Sequence, residues 1–153
     1  MTASHHHIIR ADGNDAALLA DLHGRCFDEG WSTDFITRLL GGKGVAALIA
    51  RDHEAQPIGF AIARAAADEA ELLTIGVTEA QRRSGAGRQL VEAVIVTMAH
   101  REVRRLHLEV SETNHAARRL YESLDFVPVG RRPGYYENGT VDALTLAQTL
   151  RTS

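Results

Sequence analysis

The sequence predicts a single α/β (α+β) domain in which helices cover one mixed, mostly antiparallel sheet. The chain has 153 residues, of which 44% are hydrophobic and 24% charged, as expected for one globular domain spanning residues 1–153. Apolar residues recur with helical spacing in about four segments, and about seven short runs have the character of strands. No apolar run approaches the ~20 residues that a membrane span needs, so we expect no membrane association.

The predicted elements follow the order β-α-α-β-β-β-α-β-α-β-β. Helices are expected at residues 15–27, 32–40, 86–100 and 114–124, and strands at residues 6–11, 45–51, 58–67, 70–77, 106–110, 127–130 and 141–147. Turn residues separate the second, third and fourth strands, which predicts an antiparallel meander. The strand-helix-strand unit that follows predicts parallel pairing. A loop is expected at residues 131–140, and Ser32 and Asn114 are expected to cap helices.

Composition and charge narrow the possible functions. The formal net charge of −3 argues against broad nucleic-acid affinity. Cys26 is the only cysteine, which excludes an intrachain disulfide and suits a reducing cytoplasm. Its place in an apolar helical pattern favours a small buried side chain over a nucleophile. The run His5 to His7 lacks a closed ligand set, so we expect no metal site, and this run is either native or a tag remnant.

A glycine-containing loop connects a strand to an amphipathic helix at residues 77–88. Gly85 and Gly87 remove side chains where a backbone must approach a ligand. The helix that begins at Ala86 presents unpaired N–H groups and a partial positive charge, a combination suited to a diphosphate. Three arginines of the loop would add attraction for the same anion: Arg82, Arg83 and Arg88. A glycine-rich turn with solvated arginines is the alternative interpretation.

The pattern Arg-x-x-Gly-x-Gly at residues 82–87, after the strand at 72–77, resembles the coenzyme A loop of the GNAT superfamily of N-acetyltransferases. The resemblance implies that the loop amides bind the diphosphate of acetyl-CoA. It also implies that the fourth strand splays from the fifth, so that its backbone pairs with the pantetheine arm and the thioester carbonyl. The residues implied in cofactor binding are Ile75, Gly76, Val77, Arg82, Arg83, Ser84, Gly85, Ala86, Gly87 and Arg88.

Acetylation of an amine requires two proton transfers, one from the amine and one to the departing thiolate. Glu109 lies within an apolar strand, where a charge is costly unless it has a purpose or a partner. Tyr121 lies on the helix that follows. A carboxylate and a phenol on opposite sides of a thioester could serve both transfers. The alternatives are a surface-facing strand carboxylate and a packing tyrosine with a hydrated hydroxyl.

The stretch at residues 108–126 resembles one subfamily, the bacterial ribosomal-protein alanine N-acetyltransferases of RimI type. The resemblance rests on Leu-Glu-Val, on an asparagine five residues after the glutamate, and on Leu-Tyr-Glu-Ser-Leu-x-Phe. It implies that Glu109 accepts the amine proton, that Tyr121 protonates the thiolate, and that Asn114 contacts the cofactor or acts as a plain helix cap. Asp125 stands where this family usually has glycine, at a helix end that favours left-handed geometry, so we expect mild local strain there and little effect on chemistry.

The closing segment, residues 130–136 followed by 141–144, is also similar to the final hairpin of that subfamily. This similarity implies that Tyr135 and Tyr136 line the acceptor channel, with packing inside the hairpin as the alternative. The region before residue 45 matches only loosely, and in this family the first two helices wall the acceptor groove. Three acidic residues there are candidates for attracting a basic substrate: Asp28, Glu29 and Asp34.

Together the resemblances imply a cytoplasmic enzyme, monomeric or homodimeric, that transfers acetyl from acetyl-CoA to the N-terminal α-amine of a ribosomal protein. The alternatives are acetylation of a small amine or amino acid, and a non-catalytic acyl-CoA-binding module. Direct transfer is expected because Cys26 lies far in sequence from the glycine loop and from the Glu-Tyr pair. The sequence leaves the acceptor and the acyl-chain preference open.

Overall fold

The computed structural model describes residues 6–150, which form a seven-stranded sheet with two helices on each face. The strands are β1 His7–Ala11, β2 Val45–Arg51, β3 Pro57–Ala66, β4 Glu69–Val77, β5 Arg105–Ser111, β6 Val127–Tyr136 and β7 Val141–Thr149. The helices are α1 Ala16–Cys26, α2 Thr33–Leu40, α3 Ala86–His100 and α4 His115–Ser123. Within this part of the chain, no helix is both long and apolar enough for a membrane span. His5 of the histidine run lies outside the described residues.

The strands are arranged in the order β1-β2-β3-β4-β5-β7-β6, which confirms the predicted mixed sheet. β2, β3 and β4 form an antiparallel meander, and β5 pairs antiparallel with β7. The strand-helix-strand unit from β4 through α3 to β5 supplies the parallel pair. Both predictions about strand direction are therefore confirmed.

The parallel pair is short, and this is the feature of the sheet that positions the site. β4 and β5 are paired only where Glu69, Ala70 and Glu71 face the first three residues of β5. Beyond Glu71 the two strands part, while β5 stays paired with β7 along its whole length, from Arg105 to Ser111. The sheet is thus splayed between its fourth and fifth strands, as the family resemblance implied.

Alternation along the strands divides the core into two layers. In β2, Leu48 and Ala50 pack in the cluster that contains α3 and α4. Their neighbours Ala47 and Ile49 pack in the second cluster, with α1 and α2. Both faces of the central strands are therefore buried, which explains their nearly continuous apolar sequences.

The prediction of a loop at residues 131–140 is wrong, because β6 continues to Tyr136 and a short 3-10 turn follows at Glu137–Gly139. The run Gly-Arg-Arg-Pro-Gly has the composition of a turn, but β6 is an edge strand of the sheet. A proline is tolerated on an edge strand because one side of the ladder has no partner. The pairing with β7 shifts between Arg132 and Tyr136, which accommodates Pro133 and Gly134.

The local signals at element ends agree with the prediction. The Ser32 hydroxyl accepts a hydrogen bond from the amide of Phe35 at 3.1 Å and caps α2. The Asn114 side chain accepts one from the amide of Ala117 at 3.2 Å and caps α4. Asp125, after the end of α4, adopts the expected left-handed conformation with φ of 69°.

Gly44, in the turn before β2, offers a test of the backbone packing. Its φ is +77°, and a Cβ placed there would overlap the carbonyl oxygen of Ala65. We expect Gly44→Ala to lower the free energy of unfolding by about 2 kcal/mol or more. The control is Gly24→Ala within α1, where an added Cβ has no neighbour within 4 Å, and which should raise stability by about 0.5–1 kcal/mol. Urea unfolding measures the stability of both variants. Equal stability of Gly44→Ala and the wild type would contradict the close approach of Gly44 to the Ala65 carbonyl.

Candidate active site

The parting of β4 and β5 opens a cleft of about 320 Å³. Its walls are formed by residues 72–75 of β4, residues 108–111 of β5 and the first turns of α4. Phe27, after α1, and Tyr136, at the end of β6, also line the cleft. The cleft brings together the following residues that the sequence singled out: Ile75, Glu109, Asn114, Tyr121 and Tyr136.

The wall formed by β4 carries an irregular and partly unpaired backbone. Its register with β3 shifts at Leu73, since Ala63 pairs with Leu72 and Ile62 pairs with Thr74. On its other edge, β4 has no ladder partner on β5 after Glu71. Backbone N–H and C=O groups along this edge need partners, so an extended ligand could pair with them. The predicted cofactor segment, residues 75–77, forms the end of this edge.

The same segment packs tightly against α1. A Cβ at Gly76 would lie 2.8 Å from the Phe60 ring and 2.9 Å from the Cys26 sulfur. Only glycine fits there. Cys26 is therefore close in space to the predicted cofactor strand, although it is far away in sequence. Burial raises the pKa of the Cys26 thiol, while Arg82 and Arg25 act in the opposite direction.

The glycine loop has left-handed backbone conformations just before α3. Gly85 precedes the first residue of α3 in a left-handed conformation with φ of 92°, and Arg83 has φ of 68°. The amides at the start of α3 have no carbonyl acceptor within the helix. These N–H groups and the positive end of the helix dipole are available to a diphosphate. Gly87 lies in the first turn of α3, with Ala86 before it and Arg88 after it.

Two of the three loop arginines make contacts within the protein. The Arg82 Nε donates to the carbonyl of Val77 at 3.2 Å, which closes the loop onto the end of β4. Arg88 donates to the Ser123 hydroxyl at 2.8 Å and so connects α3 to α4. The Ser84 hydroxyl lies 3.3 Å from the His6 ring. These contacts hold the loop in place, in addition to any attraction for an anion.

Glu109 and Tyr121 approach the cleft from opposite faces of the sheet. Leu108 and Val110 are buried in the layer that contains α3 and α4, and so is Tyr121. Because side chains alternate along a strand, Glu109 points to the other face. This arrangement fits the prediction of a carboxylate and a phenol on opposite sides of a thioester.

Glu109 is half-buried, with 25% of its side chain exposed. It has a partner that the sequence analysis missed: the Arg132 guanidinium lies 3.3 Å from its Oε2. Glu109 is therefore less buried than its apolar strand suggested, and its charge is compensated. The signal that could have indicated this partner is the basic pair at residues 131–132 just before the two tyrosines of the closing hairpin.

Tyr121 is almost fully buried, with 6% exposure, and its ring lies 5.8 Å from that of Phe126. Burial raises the pKa of Tyr121 to about 12, and the nearby Tyr136 contributes in the same direction. The phenol therefore keeps its proton at neutral pH. A proton is therefore present for donation to a thiolate formed beside it, although the raised pKa by itself makes the phenol a weaker acid.

The two hairpin tyrosines have different surroundings. Tyr136 is half-buried and lines the cleft, and burial and the charge of Glu109 raise its pKa. Tyr135 is 53% exposed and packs edge-on against Tyr136 at 4.9 Å between ring centres. The predicted acidic residues near the groove, Asp28, Glu29 and Asp34, are exposed and lie outside the cleft walls, between α1 and the first turn of α2. Of these two tyrosines and three acidic residues, only Tyr136 lines the cleft.

The raised pKa of Tyr121 predicts a measurable pH dependence. The pKa in the fold is about 12 against an ordinary 10.0, so the folded state favours the neutral phenol. The stability that the neutral Tyr121 phenol contributes is fully present below pH ~10 and is lost as the pH rises towards ~12. In an alkaline titration followed by tyrosinate absorbance, Tyr121→Phe should remove a component that ionises near the top of this range. Loss of a component that ionises near pH ~10 instead would show that Tyr121 is not buried.

Sequence comparisons relate the chain to known acetyltransferases. A profile of the acetyltransferase (GNAT) family matches residues 16–126. The ribosomal protein bS18-alanine N-acetyltransferase of Escherichia coli (strain K12) is 42% identical over 90 residues, or 58% of this chain and 61% of that protein. A putative enzyme of the same name from Bacillus subtilis (strain 168) is 31% identical over 83 residues, or 54% of this chain and 55% of that protein. The aligned part thus spans less than two thirds of these relatives.

Solved structures extend the similarity to nearly the whole chain. The crystal structure of the ribosomal-protein-S18-alanine N-acetyltransferase from Escherichia coli has a TM-score of 0.87 at 29% identity, covering 97% of this chain and 96% of that one. Arabidopsis thaliana NAA60 in complex with acetyl-CoA has a TM-score of 0.80 at 21% identity, covering 95% and 98%, and at this identity shows the fold alone. Because the family profile covers well over half of its residues, the chain belongs to the acetyltransferase (GNAT) family.

Proposed function

We propose that the protein is an acetyl-CoA-dependent N-acetyltransferase that passes the acetyl group directly to a primary amine. The observation that carries this proposal is the cleft between β4 and β5, into which Glu109 and Tyr121 point from opposite faces of the sheet. A thioester lying in the cleft would have a proton acceptor on one side and a proton donor on the other. Membership of the family supports the choice of acetyl-CoA as the donor substrate.

The residues present fit acetyl-CoA along a continuous path. The amides of residues 85–88 suit its diphosphate, because they combine free N–H groups with a helix dipole. The unpaired edge of β4 suits its pantetheine arm, which is an extended chain with amide groups of its own. In this arrangement the backbone of residues 75–77 holds the thioester carbonyl, and Asn114 contacts the arm from the start of α4. Polarisation of that carbonyl by a backbone N–H stabilises the negative charge that develops during attack.

The proposed reaction balances with three proton transfers. Glu109, directly or through a water, takes a proton from the acceptor ammonium and frees its lone pair. The amine nitrogen attacks the thioester carbon, a C–N bond forms, and the C–S bond breaks. Tyr121 gives its proton to the departing sulfur, and the nitrogen loses its second proton to water as the amide forms. The products are an amide and the free thiol of coenzyme A, and each side chain regains its starting state by exchange with solvent.

Direct transfer is favoured over an acetyl-enzyme intermediate for a structural reason. Cys26 is far from the glycine loop in sequence, but the structure places it against Gly76. Burial raises the pKa of that thiol, however, so the reactive thiolate is disfavoured. Cys26 is partly buried and packs against the cluster that contains α1 and α2.

For the acceptor, we propose the N-terminal α-amine of a ribosomal protein, which places the reaction in the cytoplasm. The names of the Escherichia coli and Bacillus subtilis relatives point to an alanine of ribosomal protein bS18. Exposed acidic residues between α1 and α2 could attract the basic tail of such a substrate. A small amine is the alternative acceptor. A non-catalytic acyl-CoA-binding module is disfavoured, because both proton-transfer residues line the cleft.

The acceptor and the two catalytic residues can be tested together. Purified enzyme is incubated with labelled acetyl-CoA and a peptide panel, including peptides that begin with alanine followed by basic residues, beside free amino acids and polyamines. We expect turnover on the peptides, and we expect Glu109→Gln and Tyr121→Phe each to lower kcat by about 10²–10⁴-fold. The affinity for acetyl-CoA should change little in both variants. Tight binding of acetyl-CoA without turnover on any amine would instead indicate a binding module.

The glycine loop can be tested separately by ligand-induced stabilisation. Asparagine tolerates positive φ, so Gly85→Asn should fold while its side chain obstructs the approach of a diphosphate. We expect coenzyme A to raise the melting temperature of the wild type and to leave that of Gly85→Asn nearly unchanged. Gly139→Asn is the matched control, since Gly139 has φ of +89° and no neighbour within 4 Å of an added Cβ. An equal shift in all three proteins would exclude the loop as the diphosphate site.

A further inference from the structure

The hairpin formed by β6 and β7 is anchored to β5, the strand that carries Glu109, by a group of charged residues. Arg131 contacts two carboxylates, Glu112 at 2.6 Å and Asp142 at 2.7 Å. Backbone bonds connect the same two acidic residues, since the amide of Glu112 donates to the carbonyl of Asp142 at 3.0 Å. Glu112 directly follows β5, so these contacts fix the hairpin relative to Glu109.

The anchor also fixes the irregular part of β6. Between Arg132 and Tyr136 the pairing with β7 is interrupted. Here the amide of Gly134 donates to the Asp142 carboxylate at 2.8 Å, in a left-handed turn with φ of +62°. The Gly134 amide and Arg131 together lower the pKa of Asp142, so this anchor is ionised at neutral pH. The bulged segment is therefore held in one position next to the cleft.

Arg132, at the start of this segment, lies between Glu109 and Tyr135. Its guanidinium contacts Oε2 of Glu109 at 3.3 Å and covers the Tyr135 ring at 4.7 Å. Within residues 6–150, Oε1 of Glu109 has no hydrogen-bond partner. One carboxylate oxygen is thus held by the guanidinium, and the other is available to accept a proton.

We infer that Arg132 is a positioning residue for the acetyl transfer: it holds one oxygen of Glu109 so that the other faces the acceptor amine. The inference rests on the proposed function, because it assumes that Glu109 is the proton acceptor. A fixed carboxylate loses less conformational freedom when the amine arrives, which favours a reactive geometry. Stacking on Tyr135 restrains the guanidinium in turn.

This contact contributes little to the stability of the fold. The Arg132 side chain is 55% exposed, and ion pairs between exposed groups are weak. Removing the guanidinium should therefore leave the protein folded while it frees the Glu109 side chain to rotate. This separation between stability and catalysis makes the inference testable.

The experiment measures kcat, KM for both substrates and the melting temperature of Arg132→Gln and Arg132→Lys with the peptide that the wild type acetylates best. We expect Arg132→Gln to lower kcat by about fivefold, with an unchanged melting temperature and an unchanged Kd for acetyl-CoA. Arg132→Lys should recover at least half of the activity, because it keeps the charge. The matched control is Arg104→Gln, which removes an exposed arginine just before β5, at the end of that strand away from the cleft.

A double-mutant cycle shows whether Arg132 acts through Glu109. In a Glu109→Gln background, Arg132→Gln should have no further effect on the residual rate. An equal loss in both backgrounds, an unchanged kcat in the single variant, or a raised kcat would each overturn the inference. Failure of the wild type to acetylate any amine is a different result, since it contradicts the proposed function itself.

Asp142→Ala tests the anchor of the hairpin. This substitution removes the acceptor of the Gly134 amide and one of the two carboxylates at Arg131. We expect it to lower kcat in the same direction as Arg132→Gln and also to lower the melting temperature, because it loosens the whole hairpin. An unchanged kcat in Asp142→Ala would show that the hairpin does not need this anchor to place Arg132.

Discussion

The early separation of β4 from β5 is the constraint on which the rest of this structure depends. The two strands share three paired residues and then diverge. Each is held by its other neighbour, β4 by β3 and β5 by β7, so the gap cannot close. The backbone groups along the open edge still need hydrogen-bond partners. A fold that leaves such an edge in its centre is suited to an extended ligand that completes the sheet, as the pantetheine arm would.

Successive side chains of β5 point to opposite faces of the sheet, and this alternation gives the gap two chemically different sides. Even-numbered residues pack with α3 and α4, where burial keeps the Tyr121 phenol protonated. Odd-numbered residues face the other layer, where Glu109 is half-buried and paired with Arg132. A one-residue shift of β5 would exchange the two faces and remove Glu109 from its position. The complete pairing of β5 with β7 prevents that shift, so the sheet register supports the proposed chemistry directly.

The proposed donor and acceptor halves of the site come from different parts of the chain. The glycine loop, β4 and the starts of α3 and α4 form the side proposed for acetyl-CoA. The segment after α1 and the hairpin of β6 and β7 form the side proposed for the amine, with Phe27 and Tyr136 at the cleft. The family profile ends at residue 126, before this hairpin begins. The hairpin, with its anchored bulge and Arg132, therefore lies outside the part of the chain that the family profile matches.

Local patterns in the sequence determined the element order and the helix caps at Ser32 and Asn114, because these depend on neighbouring residues alone. They also identified Glu109 and Tyr121, whose roles remain predictions. The left-handed conformation at Asp125 was indicated by the family resemblance. Only the tertiary structure decided which distant residues meet. The contact of Arg132 with Glu109, the place of Cys26 beside Gly76 and the extent of β6 all depend on strand register and on the splay of the sheet. Long-range pairing sets these relations, and no local pattern records it.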